Sequence, residues 1–141
     1  MSGLAASEVL KTQQIQLKDS TDVVLIRQGV RALAVEVGFS LVDQTKVITA
    51  ASELARNTII YGLGGMGDLQ IIEENGRKGI RAIFEDHGPG IRDIEQALSD
   101  GFTSGTGLGL GLGGAKRLCS EFQIESVVGQ GTKVTIVKWK G

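Results

Sequence analysis

The sequence predicts an α/β (α+β) domain in which helices cover one face of an antiparallel or mixed sheet. Two long segments in the first half of the chain carry apolar residues at helical spacing. In the second half, Asn75-Gly76 and Gly129-Gln130-Gly131 each separate two short runs that suit strands, a pattern typical of β-hairpins. With 141 residues, 41% of them hydrophobic, the chain is expected to form one two-layer sandwich domain over residues 1–141.

A strand and two helices are predicted in the first half of the chain. They span residues 9–18, residues 21–37 and residues 42–61, in that order. Asp19 or Ser20 can cap the first helix, and Gly38 ends it. Ser40 and Asp43 resemble a weak capping box before the second helix, which is the longest in the chain.

The second half is predicted to begin with a glycine-rich loop and to continue mainly as strands. The loop, expected to act as a hinge, contains Gly62, Gly64, Gly65 and Gly67. It is followed by strands over residues 69–74 and 79–85, a short helix over residues 91–99, a mobile loop over residues 100–107, a helix over residues 109–122, and a closing hairpin of residues 124–128 and 133–139. Cys119 is the only cysteine and is expected to be a buried structural thiol in the last helix.

Charge and hydropathy exclude several classes of partner. The formal net charge is −1, and acidic and basic residues are intermixed without a basic stripe. A nucleic-acid partner therefore has no electrostatic basis. No window has the length and hydrophobicity of a transmembrane helix, and the first residues lack the basic and apolar regions of a signal peptide. The chain is thus expected in the cytoplasm, without a membrane partner.

The run from Gly105 to Gly114 is the most informative local motif. Glycine recurs at alternate positions, which leaves backbone N–H groups unshielded, and the run leads into a helix-compatible segment. A loop that opens a helix in this way is typical of a phosphate site. Three other interpretations fit less well. A dinucleotide fingerprint would stand near the start of a doubly wound fold, whereas this run is near the end of the chain, and a Walker A loop would end in Gly-Lys-Ser/Thr, which is absent here. A flexible linker would gain nothing from the apolar residues Leu108, Leu110 and Leu112.

Glu53 and Asn57 stand one turn apart on the longest predicted helix, so their side chains project from the same face. One of the two could hold Mg²⁺ while the other polarises a hydroxyl or a water, which suits triphosphate chemistry. A solvated helix face is the simpler interpretation of such a pair. The neighbouring residues favour a site, because Ala50, Ala51 and Leu54 are apolar and isolated polar groups among them need partners.

Asp86 ends a predicted strand and is followed by Gly88-Pro89-Gly90, a turn that a ligand can approach closely. A carboxylate at this point can accept a hydrogen bond from an exocyclic amine, which adenine carries and guanine replaces with a carbonyl. This interpretation predicts selection of ATP over GTP. An ordinary turn-forming or helix-capping aspartate explains Asp86 equally well when it is taken alone. His87 is expected to be exposed, with no metal.

Three motifs, taken in order, resemble those of the Bergerat-fold ATPases, which include gyrase, the large heat-shock chaperones, histidine kinases and MutL. They are Glu53-x-x-x-Asn57, which resembles the N box, and Asp86-x-Gly88-x-Gly90 and Gly107-x-Gly109-x-Gly111-Leu112, which resemble the two glycine boxes. Within this superfamily, residues 111–118, 121–126 and 129–132 look most like the RsbT-type switch kinases of stressosomes, a serine/threonine-kinase branch close to the anti-sigma-factor kinases. The resemblance covers nearly the whole chain and implies a Bergerat-type ATP-binding fold with a mixed, mostly antiparallel sheet.

The resemblance also implies a role for each matching residue. Glu53 would be the catalytic base toward an acceptor hydroxyl, Asn57 the Mg²⁺ ligand, and Asp86 the residue that reads adenine. Gly88 and Gly90 would let the adenine base approach the backbone, and Thr132 would place a hydroxyl near adenine. The residues that line the phosphates would be Gly107, Gly109, Leu110, Gly111 and Leu112. Residues 100–107 would form a lid over ATP. A plain strand position explains Thr132 equally well, and Arg56 and Lys116 could each contact a phosphate or face solvent.

By the same resemblance, the chain would be an ATP- and Mg²⁺-dependent serine/threonine protein kinase that acts as a partner switch. Its acceptor would be a serine or threonine of a STAS-domain antagonist. Phosphorylation would release the kinase to activate a downstream partner such as a phosphatase. The sequence shows no phosphoacceptor-histidine helix, so autokinase signalling is not expected. Two alternatives stay open: an anti-sigma factor of the same fold that mainly sequesters a sigma factor, and a non-catalytic ATP-binding regulator.

Overall fold

A five-stranded sheet with helices on one face forms the structure, a computed structural model that describes residues 7–99 and 111–141. The elements are β1 (Glu8–Leu17), α1 (Ser20–Val37), α2 (Leu41–Ile60), β2 (Gly65–Glu74), β3 (Arg77–Asp86), α3 (Ile94–Leu98), α4 (Leu112–Leu118), β4 (Glu121–Val127) and β5 (Gly131–Trp139). The predicted two-layer α/β sandwich is confirmed. Every strand pair in the described sheet is antiparallel, so the sheet is not mixed.

The strand order is β1-β2-β3-β5-β4, which places β5 between β3 and β4. β2 and β3 form the predicted hairpin, and its turn residues Asn75 and Gly76 both have positive φ, 55° and 77°. Asp86, the last residue of β3, lies opposite Gly65 of β2 and Thr132 of β5. The end of β3 therefore adjoins both of its neighbouring strands.

The main core lies between the sheet and the helices. Its largest fully buried side chains include Ile26 of α1, Leu54 of α2, Leu69 of β2 and Phe84 of β3. Burial of each such side chain contributes about 1.5–3 kcal/mol to folding. This layer of apolar contacts fixes α2 over the central strands.

A second, smaller cluster of Ile72, Val137 and Trp139 lies on the opposite face of the sheet. Ile72 directly follows the core residue Ile71 along β2, and successive side chains of a strand point to opposite faces. The guanidinium of Arg77 lies 4.2 Å from the centre of the Trp139 ring, a cation–π contact that shields this cluster.

The helix caps lie where the sequence predicts them. Asp19 is the N-cap of α1 in a capping box with Asp22, and hydrogen bonds from the hydroxyl and the N–H of Thr21 lower the pKa of the Asp19 carboxyl. Gly38 ends the helix with a φ of 94°. Ser40 caps α2, and its Oγ accepts a hydrogen bond from the N–H of Asp43 at 3.1 Å.

The predicted hinge loop is shorter than expected, because Gly65 and Gly67 belong to β2. Close packing rather than a turn requires glycine at position 65, and it leaves little room for a side chain at position 67. A Cβ on Gly65 would overlap the carbonyl of Glu85, and a Cβ on Gly67 would lie 2.9 Å from the side chain of Ile26.

The predicted helices of the second half are also longer than the observed ones. The helix predicted over residues 91–99 is present only as α3, and the helix predicted over residues 109–122 is described as α4, from residue 112 to residue 118. Phe122 lies in β4, opposite Ile136 of β5, and Cys119 is the C-cap of α4. The loop predicted over residues 100–107 and the start of the predicted last helix lie outside the described residues.

Candidate functional site

A cavity of about 330 Å³ lies among α2, the end of β3, the segment that follows Asp86, and the start of β5. Its mainly apolar lining consists of Leu54, Asn57, Thr58, Tyr61, Gly62, Phe84, Asp86, Pro89, Gly90, Ile91, Arg92, Asp93, Gln96, Ala97, Leu112, Thr132 and Val134. This volume is at the lower end of the range of about 300–1,000 Å³ typical of small-molecule sites. Of the residues predicted to bind ATP, the cavity brings together Asn57, Asp86, Gly90, Leu112 and Thr132.

Asp86 is the one buried carboxylate in the part of the chain that the structure describes, with 8% of its surface exposed. Its Oδ1 accepts hydrogen bonds from the N–H of Gly88 at 2.9 Å and from the N–H of Thr132 at 3.2 Å. These two backbone donors compensate for the burial of the carboxylate and fix its orientation. Asp86 is thus held as a hydrogen-bond acceptor in the wall of the cavity.

Two glycines leave room for Asp86, and a third packs against one of them. A Cβ on Gly62 would overlap the carboxyl group of Asp86, and a Cβ on Gly131, whose φ is 136°, would overlap its carbonyl. A Cβ on Gly88 would lie 2.7 Å from the carbonyl oxygen of Gly62. The sequence predicts a hinge at Gly62 and does not predict its contact with Asp86. The available signal is the position of Gly62 directly after the helix predicted to carry Asn57.

Gly88 and Gly90 both have packing reasons to be glycine. Gly90 has a φ of 76°, and a Cβ there would overlap the carbonyl of Val127 in β4. Gly90 lines the cavity, whereas Gly88 packs behind it against Gly62. The predicted role of these two glycines, to let the adenine ring approach the backbone, stays a prediction.

Ser126 of β4 joins the two walls of the cavity. It ends the segment 121–126 that carries the family resemblance, but the sequence assigns it no role in the site. Its Oγ accepts a hydrogen bond from the N–H of Ile91 at 2.7 Å. The same Oγ lies 2.8 Å from Oγ1 of Thr132 and 3.2 Å from the carbonyl oxygen of Gly131. Ser126 therefore ties the segment after Asp86 to the start of β5.

Glu53 and Asn57 share one face of α2, but only Asn57 lines the cavity. Oε1 of Glu53 accepts a hydrogen bond from Nη1 of Arg56 at 2.7 Å. A Cβ on Gly111, the residue before α4, would lie 2.5 Å from Oε2 of Glu53. The carboxylate thus lies between Arg56 and the end of the glycine run, beside the cavity rather than in its wall.

The donor set fits a metal that arrives with a triphosphate. In residues 7–99 and 111–141, no three Asp, Glu, His or Cys side chains are placed to hold a metal ion together. Mg²⁺ in nucleotide sites takes only one or two protein ligands and keeps phosphate and water oxygens as the others. The amide oxygen of Asn57 at the cavity wall suits such a partial coordination shell. His87 is exposed, as predicted.

The phosphate-binding residues predicted from the glycine run divide into two groups. Gly111 has a φ of 68° and precedes α4, whose first residue, Leu112, is 3% exposed and lines the cavity. Gly107, Gly109 and Leu110 lie outside the described residues, so their contacts with phosphates stay predictions.

Residues 42–140 match the family described as histidine kinase-, DNA gyrase B-, and HSP90-like ATPase. The serine/threonine-protein kinase RsbT of Bacillus subtilis (strain 168) is 44% identical over 125 residues, which are 89% of this chain and 94% of the relative. An anti-sigma F factor of Clostridium novyi (strain NT) is 32% identical over 127 residues, 86% of this chain and 89% of the relative.

Among solved structures, that of the RsbU and RsbW domains of Rv1364c from Mycobacterium tuberculosis has a TM-score of 0.63 and 20% sequence identity. The match covers 91% of this chain and 32% of that chain, and it concerns the fold alone. Each helix within the described ranges is too short or too polar to cross a membrane.

Proposed function

Because this chain belongs to the family of histidine kinase-, DNA gyrase B- and HSP90-like ATPases, and within it to the RsbT-like serine/threonine-protein kinases, we propose that it phosphorylates a STAS-domain antagonist and thereby changes partners. The observation that carries the proposal is the meeting of Asn57, Asp86 and Thr132 at one cavity, next to Glu53. We place this switch in the cytoplasm. The chain acts as a single ATP-binding domain, with residues 100–107 as its lid.

In this proposal the apolar cavity takes the adenine of ATP, and Asp86 accepts a hydrogen bond from its exocyclic amine. The two backbone donors to Oδ1 keep the carboxylate in the orientation needed for this contact. Guanine carries a carbonyl in place of the amine, so Asp86 disfavours GTP. The phosphates then extend toward Gly111 and the glycine run, and Asn57 holds Mg²⁺, which when bound neutralises phosphate charge.

Glu53 takes the proton of the acceptor hydroxyl as the γ-phosphoryl group is transferred. Arg56 holds Oε1 of Glu53, so we assign the proton to Oε2, which lies next to Gly111. This placement separates the two tasks of the α2 motif. Asn57 faces the nucleotide from the cavity wall, and Glu53 lies at the side where an acceptor protein can reach it.

Phosphorylation of the antagonist would then dissociate its complex with the kinase. A phosphoserine or phosphothreonine adds about 1.5–2 negative charges at neutral pH. Placed against the kinase beside Glu53, this charge weakens the complex with the antagonist. The released kinase is free to bind and activate a downstream partner such as a phosphatase.

Sequestration of a sigma factor is the second candidate function, with kinase activity secondary or absent. The similarity to anti-sigma F factors, 32% identity over 86% of this chain for the Clostridium novyi protein, favours it. Both candidates use the same ATP site, so transfer of phosphate to the antagonist is the property that separates them.

The test is transfer of label from γ-labelled ATP with Mg²⁺ to a STAS-domain protein of the same organism. We expect label on a serine or threonine of that protein. In Glu53→Gln, which keeps the shape of the side chain but removes the base, we expect transfer to fall at least 100-fold while ATP binding is kept. The matched control is Glu36→Ala, which removes the exposed ion pair between Glu36 of α1 and Lys11 of β1. Neither residue lines the cavity, so this variant should leave transfer unchanged.

Absence of label with the wild-type protein, despite measurable ATP binding, would contradict the kinase proposal and favour sequestration. Full transfer by Glu53→Gln would contradict the assignment of the base alone.

A further inference from the structure

The hydroxyls of Ser126 and Thr132 form a hydrogen bond, and which of the two donates decides what Thr132 presents to the cavity. Their oxygens are 2.8 Å apart, a distance at which one hydroxyl must donate to the other. Thr132 lines the cavity, whereas Ser126 stands behind it. The backbone N–H of Thr132 is already directed to Oδ1 of Asp86.

The hydroxyl proton of Ser126 has two possible acceptors, the carbonyl oxygen of Gly131 and the hydroxyl oxygen of Thr132. If Ser126 donates to the carbonyl of Gly131, then Thr132 donates to Ser126 and presents only lone pairs to the cavity. If Ser126 donates to Thr132, the proton of Thr132 is free to point into the cavity. The contact with Thr132 is the shorter of the two, 2.8 Å against 3.2 Å, and shorter O–H···O contacts are the stronger ones.

The N–H of Ile91 favours the same direction. It donates to Oγ of Ser126 at 2.7 Å and so occupies one of the two lone pairs of that oxygen. Donation polarises the serine O–H and makes it a better donor to its neighbour. The chain of hydrogen bonds then runs from Ile91 through Ser126 to Thr132 and ends with a free proton in the cavity.

We propose that Ser126 is a positioning residue that makes Thr132 a hydrogen-bond donor to the ring nitrogen N1 of adenine. The inference rests on the proposed binding of ATP. The pairing edge of adenine offers a donor, the amine, next to an acceptor, N1, and guanine offers an acceptor, O6, next to a donor. Asp86 and Thr132, which lie opposite each other in the β3–β5 register, then form an acceptor–donor pair that matches adenine and opposes guanine.

The test compares ATP with 1-deaza-ATP, in which N1 is replaced by a C–H group, in binding titrations with Mg²⁺. For the wild type we expect the analogue to bind about tenfold more weakly than ATP, as for the loss of one hydrogen bond. In Ser126→Ala we expect ATP to bind about tenfold more weakly than to the wild type and the preference over 1-deaza-ATP to fall to less than threefold. A purely structural role would weaken both ligands by the same factor.

Matched variants separate the hydroxyl direction from the hydrogen bond to Ile91. Ser126→Thr retains the hydroxyl and should keep the preference for ATP. Ser120→Ala removes a serine that accepts a backbone N–H in the same way, from Trp139 at 3.0 Å. Ser120 has no hydrogen bond with Thr132 among those the structure describes, so this variant should keep both the affinity and the preference. Thr132→Val, which lacks the donor itself, should lose the preference.

Equal binding of ATP and 1-deaza-ATP by the wild type overturns the inference without any variant, even if Ser126→Ala does not fold. A full preference for ATP in Ser126→Ala also overturns it. A wild type that binds neither ligand refutes the proposed ATP site instead, so the two failures are distinct.

Discussion

Cys119 shows how burial changes the chemistry of one side chain. It lies partly buried at the C-cap of α4, and burial raises the pKa of its thiol from 9.0 to about 11, with a smaller opposing effect of the Lys138 charge. The folded thiol therefore stays protonated where the unfolded thiol ionises. The sequence predicts a structural thiol, and its lowered reactivity is consistent with that role.

The raised pKa predicts a specific loss of stability in alkali. The contribution of the thiol is complete below pH 9.0 and is lost as the pH rises toward about 11, by roughly 2–3 kcal/mol in total. Urea unfolding of the wild type and of Cys119→Ala, at about pH 8 and about pH 10.5, measures this term. The free energy of unfolding should fall more steeply with pH in the wild type, and parallel pH profiles would refute the prediction.

Gly62 is a residue at which a single methyl group is expected to disturb the candidate site directly. In Gly62→Ala the new Cβ would overlap the carboxyl group of Asp86. We expect a loss of about 1–3 kcal/mol in stability and a marked loss of ATP affinity, since the carboxylate must turn away from its donors. Thermal melts and ATP titrations measure both effects.

Gly114→Ala is the matched control for this substitution. A Cβ on Gly114, which lies in α4, would meet nothing within 4 Å, and alanine is the better helix former by about 0.5–1 kcal/mol. This variant should melt at or above the temperature of the wild type. A Gly62→Ala protein that melts with it would show that Asp86 tolerates the methyl group.

At the scale of the element, α2 is expected to depend on its N-cap. Ser40→Ala removes the oxygen that accepts the N–H of Asp43, and loss of such a cap costs about 1 kcal/mol. Ser40→Asp retains an acceptor and should restore most of the loss. Urea unfolding distinguishes the two variants. Equal loss in both would show that the side-chain acceptor at position 40 does not stabilise the helix that carries Glu53 and Asn57.

The elements also show what local sequence can predict. α2 is predicted to within a residue of its observed bounds because its cap and its apolar spacing agree. β2 starts earlier than predicted because Gly65 and Gly67 resemble loop residues in the sequence. In the fold they are strand residues that pack closely, Gly65 against the backbone of Glu85 and Gly67 against the side chain of Ile26. Phe122 continues the helical spacing of α4, but pairing with Ile136 places it in a strand.

For the whole molecule, the candidate site was predictable where its residues stand in local motifs. Asn57, Asp86 and Thr132 were selected in this way, and the fold places all three at one cavity. Ser126 could not be found, because its partner Ile91 is 35 positions away and is brought near only by the strand order. Residues 121–126 resemble the family, but that resemblance does not show which other residue Ser126 contacts.

The position of β5 between β3 and β4 means that the candidate site is completed late in synthesis of the chain. During synthesis Asp86 leaves the ribosome well before Thr132, so the buried carboxylate lacks one of its two donors until the last strand has paired. A nascent chain can therefore hold the helix that carries Asn57 before the wall of the cavity that contains Thr132 has formed.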